Sequence, residues 1–236
     1  MQTQAKVVVF LPCCGSKHPS GRLLLQNTRG TFLPAESTEP LIQARTSYGF
    51  NLDQDSRLTS GFCLYTGSPY QAISSRHLVE EAILKNELRL FILSAGYGVL
   101  DAREPIHDYD EQMKGKVAKY WRDAGLVNVI EKIIETIKPS QVYGFFSGER
   151  YWSNPSSKYR YFFTESILQS VRHTDSIKSA GCFYRKEGRG VKAILNALGK
   201  AFNDCFACGF DPDFASETEI SNRRYGNVFI GYDRFV

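Results

Sequence analysis

Four short apolar runs mark this chain, each bounded by turn-forming residues. Ala5 to Pro12 (AKVVVFLP), Leu88 to Ala95 (LRLFILSA) and Gln141 to Gly148 (QVYGFFSG) are continuous and β-branched or aromatic. Such runs predict strands buried on both faces. The tail YGNVFIGYDRFV predicts a closing strand. Between the runs the period changes to that of a helix. Ser68 to Leu88 places Ala72, Ile73, Leu78, Val79, Ala82 and Ile83 at helical spacing, with Ser68-Pro69 as the start. Lys114 to Ile137 predicts one long amphipathic helix stopped by Pro139. Thr164 to Val171 and Arg189 to Phe206 predict two more. Strands alternating with helices imply an α/β fold with a mostly parallel central sheet.

Residues 20 to 60 interrupt this rhythm. They are polar and weakly periodic, with one short helix expected around Leu41 to Ser47. A long insertion of this kind predicts a lid or a binding element. The chain is expected to form one α/β domain over residues 1–236. Its core, with the site loops, covers 1–151, and a basic, aromatic-rich portion covers 152–236.

Composition narrows the classes. The chain has 236 residues, 42% hydrophobic and 23% charged, enough for a sizeable core. No apolar run reaches the roughly 18 residues of a membrane span. The start MQTQAKVVVFLPCCGSK does not read as a signal peptide. A cytoplasmic location with reduced thiols at Cys13, Cys14, Cys63, Cys182, Cys205 and Cys208 is therefore expected. Cys205 and Cys208 have ligand spacing but lack a second pair, so neither a metal nor a cofactor is expected. A catalytic cysteine is disfavoured, because none of the four histidines completes a Cys/His signature.

The net charge of +4 and pI near 8.7 permit an anionic partner. Arg150, Lys158, Arg160, Arg172, Lys178, Arg185, Lys186 and Arg189 are interleaved with Tyr151, Trp152, Tyr159, Tyr161, Phe162, Phe163, Phe183 and Tyr184. Cations for phosphates and rings for bases fit nucleic acid; a basic face over an aromatic core fits the same letters.

In an open α/β sheet, ligands bind beyond the carboxyl ends of the strands. Three predicted strands end in glycine-bearing loops: Cys13-Cys14-Gly15-Ser16-Lys17, Ser94-Ala95-Gly96-Tyr97-Gly98 and Ser147-Gly148-Glu149-Arg150-Tyr151. The first reads as an anion nest, with a tight turn at Gly15, donors at Ser16 and charge from Lys17. Thr66-Gly67-Ser68-Pro69 is a second polar turn. The second loop leads into five acids, Asp101, Glu104, Asp108, Asp110 and Glu111, within eleven residues. A carboxylate there can stabilise an oxocarbenium-like state, attack the sugar or activate water. Arg103 is expected to pair with one or two of the five, and Glu111 to open the following helix.

These residues together resemble a known family. Leu93 to Leu100 (LSAGYGVL), followed by Ile106-His-Asp-Tyr109-Asp110, resembles the LSxxYGLL…I.pY motif of the YaaA-like family. The branch it resembles reads SAKYGLL with a Tyr-Asp pair. Cys14-Gly15-Ser16-Lys17, Tyr65 to Tyr70 and Phe146 to Tyr151 resemble three further family elements, in order over residues 7 to 151. Residues 152 to 236 are not covered, and Gly96 stands where the branch has lysine. The broad superfamily includes peroxide-stress DNA-binding proteins and enzymes that cut or exchange a base at its N-glycosidic bond. Among the latter is a bacterial antiphage DNA glycosylase that removes glucosylated hydroxymethylcytosine. The resemblance implies DNA as the partner and a glycosylase acting on a modified pyrimidine. With it, Asp110 is expected as the catalytic carboxylate, acting as nucleophile, charge stabiliser or activator of water, with Glu104, Asp101 or Asp108 next in line. Tyr97 and Tyr109 would contact the base. Cys14, Gly15, Ser16, Lys17, Ser68, Ser94, Gly98, Gly148, Arg150 and Tyr151 would complete the substrate site. Arg185, Lys186 and Arg189 would hold the DNA backbone. A non-catalytic DNA-binding protein and a nucleotide or tRNA base hydrolase or exchange enzyme are the alternatives.

Overall fold

In a computed structural model, the described residues are 6–25, 33, 35–49, 52–148, 159–210 and 223–236. They form an α/β fold around a mostly parallel, seven-stranded sheet. The chain order begins β1 (Val7–Pro12), α1 (Ala35–Tyr48), β2 (Leu52–Asp53), β3 (Thr59–Ser60), α2 (Gly61–Leu64), α3 (Ser68–Gln71) and α4 (Arg76–Leu84). It continues with β4 (Leu88–Ser94), β5 (Gly98–Asp101), β6 (Pro105–Ile106), β7 (Asp108–Tyr109), α5 (Gly115–Asp123), α6 (Leu126–Ile137) and β8 (Gln141–Phe145). It ends with α7 (Tyr159–His173), β9 (Ser179–Glu187), α8 (Val191–Ala207), β10 (Arg224–Tyr225) and β11 (Val228–Arg234).

The spatial order is β10-β11-β9-β8-β1-β4-β5. β9, β8, β1 and β4 run parallel, while β5 and β11 flank them antiparallel. Val8, Val9 and Phe10 are fully buried, as are Phe91, Ile92 and Leu93 on the neighbouring strand. Continuous burial explains why β1 and β4 carry unbroken apolar runs rather than alternation. Phe10 stacks on Phe91 with ring centroids 5.3 Å apart, and Phe145 on Phe183 at 4.7 Å. α3 packs on α8, and α6 packs on α7 and α1.

Several expectations need correction. The single helix over Lys114–Ile137 is two, α5 and α6, because Gly125 adopts φ +73° between them. The periodicity runs through this break, but a left-handed residue cannot continue a helix. The Ser68–Leu88 helix is likewise divided into α3 and α4. β5 and β9 are strands that the pattern of apolar residues did not predict. The basic, aromatic-rich portion over 152–236 supplies β9, β10 and β11 of the central sheet itself.

The described part of the 20–60 insertion is a brace. β2 pairs with β7, and β3 with β6. Gly61 and Phe62 donate backbone hydrogen bonds to Glu104 and Ala102. Ser60 donates through its hydroxyl to the Arg103 carbonyl at 2.9 Å. Arg45 of α1 donates to the Tyr97 carbonyl at 2.9 Å and the Val99 carbonyl at 2.7 Å, and pairs with Glu104 at 2.6 Å. The insertion therefore fixes the segment from Tyr97 to Tyr109 over the sheet edge.

Candidate functional site

The connection from β1 leads to β4 on one side, and the connection from β8 leads to β9 on the other. The carboxyl ends of β1 and β8 thus bound a topological switch point, where α/β sheets open a crevice. A cavity of about 220 Å³ lies there, lined by Pro12, Met113, Phe146, Ser147, Gly148, Tyr159 and Arg160. Gly144 makes room for its floor: a Cβ there would meet Phe163 at 2.5 Å and Phe146 at 2.7 Å.

The loop after β1 crosses the crevice mouth. Its backbone pairs with the chain before α3, through a Lys17–Tyr65 bridge and the Thr66 N–H donating to Ser16 at 3.0 Å. Cys14 Sγ accepts the Gly67 N–H at 3.2 Å, and burial pushes its thiol up to about 11. Cys14 therefore remains a thiol at neutral pH, without the thiolate a nucleophile needs. Gly15 is exposed, has no positive φ and would place a Cβ in open space, so the expected tight turn does not require it. Ser16 is exposed at the mouth. Lys17 is not a free phosphate ligand: its side chain is 7% exposed. Nζ donates to the Tyr109 carbonyl, lies 3.6 Å from Asp108 and sits 4.3 Å from the centre of the Tyr109 ring.

The loop after β4 is held from below. Gly98 turns at φ +73° with Trp121 packed where a Cβ would stand. The Trp121 indole donates to the Ala95 carbonyl at 2.7 Å. Ser94 Oγ accepts the Tyr97 N–H at 3.1 Å and meets the Tyr109 hydroxyl at 2.8 Å. The Tyr109 hydroxyl also meets that of Tyr65 at 2.7 Å. Burial raises the pKa of both phenols well above its ordinary value, so this hydroxyl cluster stays protonated. Tyr109 is 3% exposed and Tyr97 8%. The two residues are expected to stack on or hydrogen-bond the base or its sugar adduct, and this burial leaves little ring face open for stacking. Next along the rim, Cys13 Sγ lies 2.9 Å from the hydroxyl of Tyr159, a residue that lines the cavity.

The five acids separate by partner. Asp101 is 1% exposed and bound by Arg89 and Arg103, at 2.9 and 2.8 Å. It lies opposite Phe91, back along β4 from the carboxyl edge. Glu104 is held by Arg45. Asp108 caps the Tyr109 N–H at 2.7 Å and faces Lys17. Glu111 lies near the Tyr48 phenol and helps raise its pKa, after burial. Asp110 is exposed, with no hydrogen bond or ion pair among the described residues. It stands between Tyr109, bonded to the end of β4, and Met113, which lines the cavity.

β9 runs four residues beyond its last pairing with β8 at Phe145–Phe183, through Tyr184, Arg185, Lys186 and Glu187. Arg185, Lys186 and Arg189 therefore project past the same carboxyl edge, and Lys186 and Arg189 are exposed. Phe162, Phe163 and Phe183 are fully buried, so these aromatic residues belong to the core and not to a base-stacking surface. Ser68 opens α3 beside the Cys14 loop. Arg150 and Tyr151 lie outside the described residues. Sequence reasoning missed Met113, Tyr159 and Arg160 as cavity residues; Tyr159 and Arg160 had been noticed only as members of a basic, aromatic stretch.

Among the described residues, no helix is long and apolar enough to cross a membrane. No family model matches the chain. It is 33% identical over 67 residues to a UPF0246 protein of Ligilactobacillus salivarius (strain UCC118). The aligned stretch covers 28% of this chain and 27% of that protein.

Proposed function

We propose that this protein is a DNA glycosylase that cleaves the N-glycosidic bond of a modified pyrimidine and leaves an abasic site, in defence against phage. The observation that carries the reading is the state of Asp110. It is the acid of its segment left exposed and unpaired among the described residues, three positions before Met113, which lines the switch-point cavity. UPF0246 is the YaaA family, and the partial likeness to one of its members agrees with the motif resemblance over residues 7 to 151. A nucleotide flipped from the stack would bring C1′ to the rim. There the Asp110 carboxylate would face the oxocarbenium-like charge and take a proton from the attacking water. Water adds its hydroxyl to C1′, the C1′–N bond breaks, and a proton ends on the departing base. Arg185, Lys186 and Arg189 would hold flanking phosphates.

The test is to incubate the protein with phage DNA carrying modified cytosines and then treat the DNA with alkali. Breaks that vanish in Asp110→Ala support the enzyme. A wild-type protein that leaves no alkali-labile sites, in modified or plain DNA, overturns it. A non-catalytic DNA-binding role is the second reading. It is favoured by the binding of Asp101, Glu104 and Asp108 to basic partners, which leaves few carboxylates for chemistry.

A further inference from the structure

The cavity at the ends of β1 and β8 has a chemistry of its own. Pro12, Met113 and Phe146 give it apolar walls, while Ser147, Gly148 and Tyr159 supply polar groups. Arg160 brings no free charge to it. Its guanidinium is paired with Asp233, donates to the Gly148 carbonyl at 2.8 Å and lies 4.4 Å from the Tyr184 ring centre. That arrangement fixes the Gly148 loop and neutralises the cation. Tyr159 is likewise a neutral group: its hydroxyl lies against Cys13, and burial raises its pKa. A phosphate or carboxylate entering this space would meet no unpaired cation among the described lining residues. The volume, about 220 Å³, is below the roughly 300–1,000 Å³ of sites for drug-sized ligands. A whole nucleotide exceeds it, and a single ring system does not.

We infer that this cavity is a binding site for one uncharged heteroaromatic ring of nucleobase size, with sugar and phosphate left outside. Apolar walls suit the faces of such a ring, and the polar groups of Ser147 and Gly148, with the Tyr159 ring beside them, suit its polar edge. Ser147 is exposed, so it marks the open side. A hexose carried on the ring would have to leave past it. The inference deepens the proposed function, and rests on it only for the ring's identity as the departing base.

Ligand-observed NMR with free cytosine, 5-hydroxymethylcytosine, uracil and adenine tests it, with deoxyribose 5-phosphate as the comparison. At least one base should bind in the millimolar range and the sugar phosphate should not. Ser147→Trp should fill the cavity and weaken base binding roughly tenfold or more, with an unchanged melting temperature. Tyr159→Phe, which keeps the ring, should weaken it several-fold. Asp110→Ala should retain base binding while losing base release. A wild-type protein that binds none of the four bases, or equal binding in Ser147→Trp, overturns the inference. If bases bind and Ser147→Trp abolishes this, but no DNA yields an abasic site, the glycosylase reading fails and the ring site stands.

Discussion

A Cβ placed on Gly96 would lie 2.6 Å from Cδ2 of Tyr109. The two residues are one fitted unit. Tyr109 folds its ring against the bare backbone of Gly96, and so its hydroxyl reaches Ser94 and Tyr65. The sequences of the SAKYGLL branch that this segment resembles carry lysine at this place. In this chain a lysine would need the Tyr109 ring to move, and with it the Lys17 contact to that ring and the adjoining Asp110.

Gly96→Ala should destabilise the protein by about 1–3 kcal/mol, the usual cost of overpacking a dense core. Denaturant unfolding measures this as a lower midpoint at an unchanged slope. The same substitution should reduce base release, because Tyr109 carries Asp110 with it. A stable Gly96→Ala protein would show that Tyr109 can move freely.

Asp101 and Asp110 should respond in opposite ways. Asp101→Asn leaves Arg89 and Arg103 largely buried without their counter-charge, at a cost of about 3–5 kcal/mol. Asp110→Asn should change stability by less than about 0.5 kcal/mol, as at exposed sites without partners. Activity on modified DNA should be lost in the second. Thermal melts paired with an abasic-site assay on each variant separate the two roles.

The sequence made the strand runs legible because β1 and β4 are buried on both faces, which writes unbroken apolar letters. It hid β9 because SAGCFYRKE moves from small to aromatic to charged residues within nine positions. Its burial comes from β8 and β11, whose pairing is long-range. Local charge pairing was legible too: Arg103 with Asp101 lies two residues apart. Arg45 with Glu104 spans 59 positions and could not be read along the chain. Lys17 was misjudged for the same reason. Its partner, the Tyr109 carbonyl, is 92 residues away. The three loops at the rim were found because strand direction alone places them there. The cavity residues on α7 were not, because an unpredicted β9 hid the crossover that delivers this helix.

Arg45→Met should cost about 2–3 kcal/mol, since a half-buried carboxylate and two carbonyls lose a charged donor. Adding Glu104→Gln to Arg45→Met should recover part of that loss, because the stranded charge is removed. Additive losses in the double-mutant cycle would mean that the two side chains act independently.

Alkaline pH should weaken the fold from about pH 9 upward. Burial raises the Cys14 thiol from its ordinary 9.0 to about 11. The folded state therefore keeps a proton that the unfolded state releases between those values. Its stabilising effect is complete below pH 9 and is lost as pH rises to about 11, on the order of 2 kcal/mol. Tyr97, raised from 10.0 to about 12 by burial, extends the loss to higher pH. Cys14→Ala should flatten the first part of this profile in pH-dependent unfolding. At pH 8 only about one Cys14 in a thousand is thiolate, so alkylation should be slow in the folded protein.

The edge beyond β9 predicts how DNA affinity depends on salt. Arg185, Lys186 and Arg189 project past the last β8 pairing, two of them exposed. A cation that replaces a condensed counterion on one phosphate adds about 0.9 to the slope of log affinity against log salt. Lys186→Ala and Arg189→Ala should each lower that slope by about one and weaken all DNA sequences alike. Arg185 is half-buried and bonds the Gly188 carbonyl at 3.4 Å, so Arg185→Ala should lower the slope less and also loosen the β9 end. Asp110→Asn should leave the slope unchanged, since it meets the sugar rather than the phosphates. Fluorescence anisotropy with a labelled duplex over a salt series reads all four variants. Slopes unaltered in Lys186→Ala and Arg189→Ala would remove this edge from the DNA path.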